Sequence, residues 1–135
     1  MEFIVEARSK RKKAFVERIL PNMIKQLGLT KSRKVLVVRI ANECGDDNDG
    51  MTAYLKPVNG IVVILKPKDF VELGVTLAHE MVHVKQLALG ILKTENGINY
   101  WRGKRYTRRT KYLDMPWEID AYSKQELIFR RAIEK

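Results

Sequence analysis

Residues 76–86 read TLAHEMVHVKQ and hold both histidines of the chain, His79 and His83, with Glu80 directly after the first. On a helix, positions four apart stand on one face, so the two imidazoles can aim at one point. Neutral imidazole is a common zinc ligand, bonding at about 2.0–2.1 Å. Glu80 is rotated by one residue and can reach a water on the metal without competing for it. Two ligands and a general base at this spacing make the H-E-x-x-H pattern of zinc hydrolases. The alternative is two chance histidines on a helix. For a chain with only two, that spacing and the following glutamate arise by composition on the order of once in a thousand. Stacked histidines on a buried helix also cost stability unless they are partnered.

Two histidines do not complete a site, because a catalytic zinc usually takes three protein ligands and one water. With no third histidine in the chain, the third ligand must be a carboxylate or Cys44, the single cysteine. Cys44 lies in an upstream loop and is the poorer match. Glu72 precedes His79 by seven residues on the same helix, too far along it to reach the same metal. The downstream acids are Glu95, Asp114, Glu118, Asp120, Glu126 and Glu134. Glu118 stands out, in the first turns of a helix that begins within DMPWEIDAY, 114–122. It follows His83 by 35 residues, room for a hairpin and a return. Asp120, two residues on, would point to a different face. The competing role for Glu118 is a charge favoured by the helix macrodipole. The expected metal centre is His79, His83 and Glu118 holding one Zn²⁺ per chain.

These side chains need elements to position them. Residues 8–28 predict a helix from Phe15, Ile19, Met23, Ile24 and Leu27, with Gly28 as its stop and a kink or break at Pro21. KVLVVRIA, 34–41, is apolar and β-branched enough for a strand. The acidic loop 42–50 resembles a calcium loop, but a register with Gly50 as the turn glycine puts Gly45 and Lys56 at ligand positions. MTAYLK, 51–56, and GIVVILK, 60–66, predict two strands joined around Pro57 to Gly60. The histidine helix should start at the Asp69 cap, with Glu72 completing a capping box, and end near Leu89–Gly90. Leu73, Leu77, Val84, Leu87 and Ala88 put apolar groups on most of its sides, so it should be largely buried. Residues 91–113 predict short strands with turns at Asn96-Gly97 and Arg102-Gly103-Lys104. A last helix begins near Pro116 and runs to about Ile133. The expected fold is α+β in a single domain, 1–135, with a small mixed sheet of about three strands on the buried histidine helix.

HEMVH, His79 to His83, followed by PWEIDAY, Pro116 to Tyr122, resembles a gluzincin, a zinc metallopeptidase with a glutamate third ligand. EIDA, Glu118 to Ala121, is similar to the Glu-x-acid-Ala signature on the glutamate helix of many gluzincins. WRGK from Trp101, with Tyr106 and Tyr112 before PWE, looks more like the small zincin-like proteins encoded by bacteriophages. The matching motifs occupy 76–86 and about 100–122. The resemblance implies a zincin-like fold, with zinc on His79, His83 and Glu118 and Glu80 activating the water for peptide-bond hydrolysis. It also implies that 51–56 is the sheet edge that lines up an extended peptide. Gluzincins commonly place Asp four residues after the ligand Glu, as partner to a histidine. Here that position is Tyr122, which could accept from an imidazole N–H, donate to the site or stabilise the oxyanion. As a plain alternative it is a core tyrosine. Tyr106 and Tyr112 are further oxyanion candidates.

The bulk composition narrows partners less sharply. The chain has 135 residues, 45% of them hydrophobic, and a formal charge of +10. No apolar run of about 18 residues exists for a membrane span, and the first residues lack the order of a signal peptide. A lone cysteine forms no internal disulfide, so a reducing setting is expected: cytoplasmic, or the host cytoplasm if the chain is phage-encoded. RSKRKK, 8–13, and RGKRYTRRTK, 102–111, would attract nucleic acid or another polyanion, or simply keep the surface solvated. The partner expected from the site is a protein or peptide substrate. The competing function is a basic, nucleic-acid-associated zinc-binding protein whose protease activity is vestigial or absent.

Overall fold

The computed structural model describes residues 1–42, 48–107 and 109–134. The element order is β1 (Glu2–Ala7), α1 (Lys10–Gln26), β2 (Val35–Ile40), β3 (Gly50–Leu55), β4 (Gly60–Leu65), α2 (Phe70–Ala88), β5 (Leu92–Glu95), β6 (Ile98–Trp101), β7 (Lys104–Tyr106) and α3 (Pro116–Ile133). This is an α+β fold with a mixed sheet, as the periodicity predicts. Most of Cys44's loop, residues 43–47, lies outside the described residues, and with it the cysteine as a ligand candidate and the calcium-loop comparison.

The sheet differs from the expected three strands. It has four, in the order β1-β2-β4-β3, with β5-β6-β7 forming a second, three-stranded sheet. The unanticipated member is β1, which pairs with β2 in parallel from Glu2↔Val35 to Ala7↔Ile40. EFIVEA is short, and its alternation is broken by a half-exposed Phe3 and an exposed Ile4. Only its parallel neighbour makes it a strand, and a parallel partner leaves no hairpin signal in the sequence. β2 and β4 are also parallel, whereas β3 returns antiparallel to β4 and forms the edge. The β3–β4 connection is a single 3-10 turn, Lys56–Val58, closed by Asn59 at φ 52°. Asparagine tolerates that left-handed conformation better than most residues.

α1 runs through Pro21 as one helix, where the sequence suggests a kink or break. An interior proline costs about 3 kcal/mol. Val16, Ile19, Leu20 and Met23 flank it fully buried, and their burial offsets the lost hydrogen bond. Its N-cap, Ser9, accepts from the Lys12 N–H. Val16, Ile19, Leu20 and Met23 join Leu36, Val38, Ile61, Val63, Leu73, Leu77, Met81, Ile128 and Phe129 in one core cluster. α2 starts on Asp69, whose side chain accepts from the Glu72 N–H at 2.9 Å. It is buried over most of its length, as its apolar pattern predicts.

The approach of α3 to α2 sets the site's dimensions. Gly74 makes it possible, since a Cβ there would sit 2.0 Å from Phe129 Cε1. Gly74→Ala should therefore push the two helices apart and destabilise the fold by about 2–3 kcal/mol, the upper range for overpacking a core. Denaturant unfolding of the two proteins checks this, and an unchanged midpoint would contradict it.

Candidate metal centre

His79, Glu80 and His83 lie in the middle of α2, all buried. Their candidate ligand atoms fall within 4.8 Å of one another, a group able to hold a metal ion. Glu118, in the first turn of α3, meets them from the side. Its Oε1 is 2.9 Å from His79 Nε2 and 3.2 Å from His83 Nε2. α3 starts where Pro116 predicts, so Glu118 arrives at the histidines at 7% exposure.

The remaining imidazole nitrogens are held by two glutamines that sequence reasoning missed. His83 Nδ1 is 2.8 Å from Gln86 Oε1, and His79 Nδ1 is 2.8 Å from Gln125 Oε1. The orientation of Gln86 is fixed independently. Its Nε2 donates to the Trp117 carbonyl and to Asp120 Oδ2, both at 3.0 Å, and both groups can only accept. Its Oε1 must then accept from His83 Nδ1–H, which leaves a lone pair on Nε2 when the ring is neutral. That lone pair faces a carboxylate oxygen. Only a proton or a cation between them makes the arrangement favourable. The observed 2.9 and 3.2 Å are close to the edge of a tetrahedron of donors around zinc, about 3.3 Å for 2.0–2.1 Å bonds. The donor set therefore fits a metal ion. A weak signal for the glutamines exists in the sequence: Gln86 is three residues past His83, and Gln125 is two helical turns past Glu118.

Electrostatics agree with a site that holds positive charge. Burial works to raise the Glu118 carboxyl, but hydrogen bonds from His79 and His83, the His83 charge and Tyr112 override it, holding it at about 2. Burial works to lower His83, and contact with Glu118 raises it overall. Burial pushes Glu80 up, against the opposing pull of His83, Thr52 and His79. Glu80 does not abut the imidazoles as Glu118 does. Its Oε1 accepts from Thr52 Oγ1 at 2.7 Å, which ties it to the edge strand β3. Gly50 leaves room for it, since a Cβ there would lie 3.2 Å from Glu80 Oε2.

The other candidates fall elsewhere. Tyr122 takes neither imidazole N–H, because both rings already face glutamines. It packs edge-on against His79, with ring centroids 4.5 Å apart, and is 49% exposed rather than a core residue. Tyr112 is hydrogen-bonded to Glu118 and to Tyr122, and burial followed by the Glu118 charge raises its hydroxyl pKa. Asp120 pairs with Lys124 and Gln86 instead of entering the site. Trp117 is buried and packs on Trp101 and Tyr106, pinning the second sheet to the glutamate helix.

The centre opens into a cleft of about 1030 Å³ running along β3, and a second cavity of about 620 Å³ lies on its His79 side. Arg11 and Arg102, one from each basic cluster, lie at opposite ends of α2. Arg11 reaches over Phe70 at the start of α2, while the Arg102 N–H bonds the Ile91 carbonyl just past its end. The 19 residues of α2 between them span about 28 Å. No helix among the described residues is long and apolar enough to cross a membrane. Searches against family models, curated proteins and solved structures find no match for the chain.

Gln86→Met should keep the side-chain volume but leave His83 Nδ1–H, the Trp117 carbonyl and Asp120 without their shared partner. Losing such a ligand-orienting bond typically costs about 10–100-fold in metal affinity. Competition titration with a chelating dye measures it, and an unchanged affinity would show that Gln86 does not orient His83.

Proposed function

We propose that this chain is a small gluzincin-type zinc metallopeptidase, with His79, His83 and Glu118 as metal ligands and Glu80 as general base. The observation that carries the reading is the meeting of Glu118 Oε1 with both Nε2 atoms while Gln86 fixes the His83 tautomer. The element order supports a zincin-like arrangement: an antiparallel edge strand, one further strand, the histidine helix, and a glutamate helix crossing beside it.

Zinc bound here would lower the pKa of a water and polarise a carbonyl oxygen. The chain's own groups do the rest. Among the described residues β3 has one edge without a strand neighbour, and it can hold an extended peptide through backbone hydrogen bonds, with little selection for sequence. Glu80 takes a proton from the attacking water at its carboxylate and returns it to the leaving amine. Its raised pKa suits both halves of that task, and Thr52 keeps the carboxylate aimed at the cleft. Tyr112 and Tyr122, which line the cavity beside His79, are the candidate donors to the developing oxyanion.

Incubating the zinc-loaded protein with casein tests the reading. Cleavage should appear, stop with a chelator and return with added Zn²⁺. No cleavage from fully loaded protein would count against a general peptidase.

A further inference from the structure

Resting on that reading, we infer that the cleft takes an extended acidic peptide that pairs with two strand edges at once, β3 on one side and β5 on the other. Both strands line the same 1030 Å³ cleft. β3 is bonded only to β4, and β5 only to β6, so each has an edge without a strand neighbour among the described residues. In an antiparallel ladder alternate residues turn their N–H and C=O groups to opposite sides. A chain lying between the two edges could therefore offer its odd residues to one and its even residues to the other. It would join the two sheets into one. At about 3.3 Å per residue, the six residues of β3 span an occupant of similar length.

Charge identifies the occupant. Lys34, Lys56 and Lys93 line this cleft; outside the metal centre Glu95 is the one acid that does, among the described residues. Lys56 and Lys93 are exposed and form no ion pair among the described residues. The cavity on the His79 side is the reverse, lined by Asp49 and Glu72 and, among the described residues, by no lysine or arginine. The groove is thus cationic on the β3–β5 side of the centre. Complementary charge there favours a peptide with acidic side chains in that arm and disfavours a basic one.

The test measures binding separately from hydrolysis, using the full-length Glu80→Gln protein and fluorescein-labelled ten-residue peptides. One peptide carries glutamate at every second position and its counterpart carries lysine. Two further versions of the acidic peptide are N-methylated at alternate residues, one in each register. The acidic peptide should bind at least about tenfold more tightly than the lysine peptide, and Lys56→Glu/Lys93→Glu should remove that preference. N-methylation should weaken binding in both registers. Sensitivity in one register only would overturn the two-edged slot. Equal binding of the two peptides, or no binding of either, would overturn the acidic occupant. If the acidic peptide binds as expected but zinc-loaded wild type never cuts it, the slot stands and the peptidase reading falls. If casein is cleaved but neither charge nor register affects binding, the slot falls and the peptidase reading stands.

Discussion

Glu80→Gln should retain its zinc and lose peptide hydrolysis by about 10³–10⁴-fold, the upper range for removing a positioned general base. The substitution is nearly isosteric. The amide oxygen can still accept from Thr52 Oγ1, so the α2–β3 contact survives. What disappears is the capacity to take a proton from water and hand it to the amine. Zinc content should match the parent, because the proposed ligands are His79, His83 and Glu118. Cleavage of a quenched peptide, measured beside metal content on the same sample, checks both halves. A variant that cuts as fast as the parent would remove Glu80 from the mechanism. One that has lost its zinc would make Glu80 a ligand, a role its place among the metal-competent side chains leaves chemically open.

Glu118→Ala should weaken zinc binding by more than the roughly 100-fold that loss of a ligand's partner can cost. It removes the one oxygen that faces both imidazoles. It also removes the group that raises His83, whose ordinary imidazole pKa would be depressed by burial. The pH dependence has a definite sign. In the metal-free parent His83 holds its proton above the ordinary value, and zinc must displace that proton. Apparent affinity should therefore fall as pH drops through the raised His83 pKa, by about tenfold per unit for one proton. In Glu118→Ala the fall should begin at lower pH. Zinc titrations of both proteins across about pH 5–8 would measure it, and parallel curves would contradict the coupling.

The site is more legible in the sequence than the scaffold that carries it. His79, Glu80 and His83 follow from helical spacing alone, and the histidine count forces a carboxylate or cysteine ligand. Glu118 then follows from Pro116, which marks a helix start. Helices α2 and α3, the β3–β4 pair and the turns at Asn96-Gly97 and Arg102-Gly103 carry local signals, and the chain obeys them. β1 carries none, because its identity depends on a parallel neighbour some 30 residues away. The tie between Thr52 and Glu80 is likewise a matter of packing, with no spacing rule behind it. Gln86 and Gln125 carry only their helical spacing as a signal, because amides are common on helices, and the position where the gluzincin pattern has an aspartate is Tyr122 here. The two glutamines contact the imidazole Nδ1 atoms from other positions.

The central claim is that Glu118 completes a zinc site built on the only two histidines. Zinc content by mass spectrometry, after loading and dialysis, tests it most directly on wild type, His83→Ala and Glu118→Ala. Circular dichroism should confirm that each variant is folded. One zinc ion per chain in the wild type and almost none in either variant is the predicted result. A wild type that holds no zinc, or a Glu118→Ala protein that keeps its full complement, would contradict it.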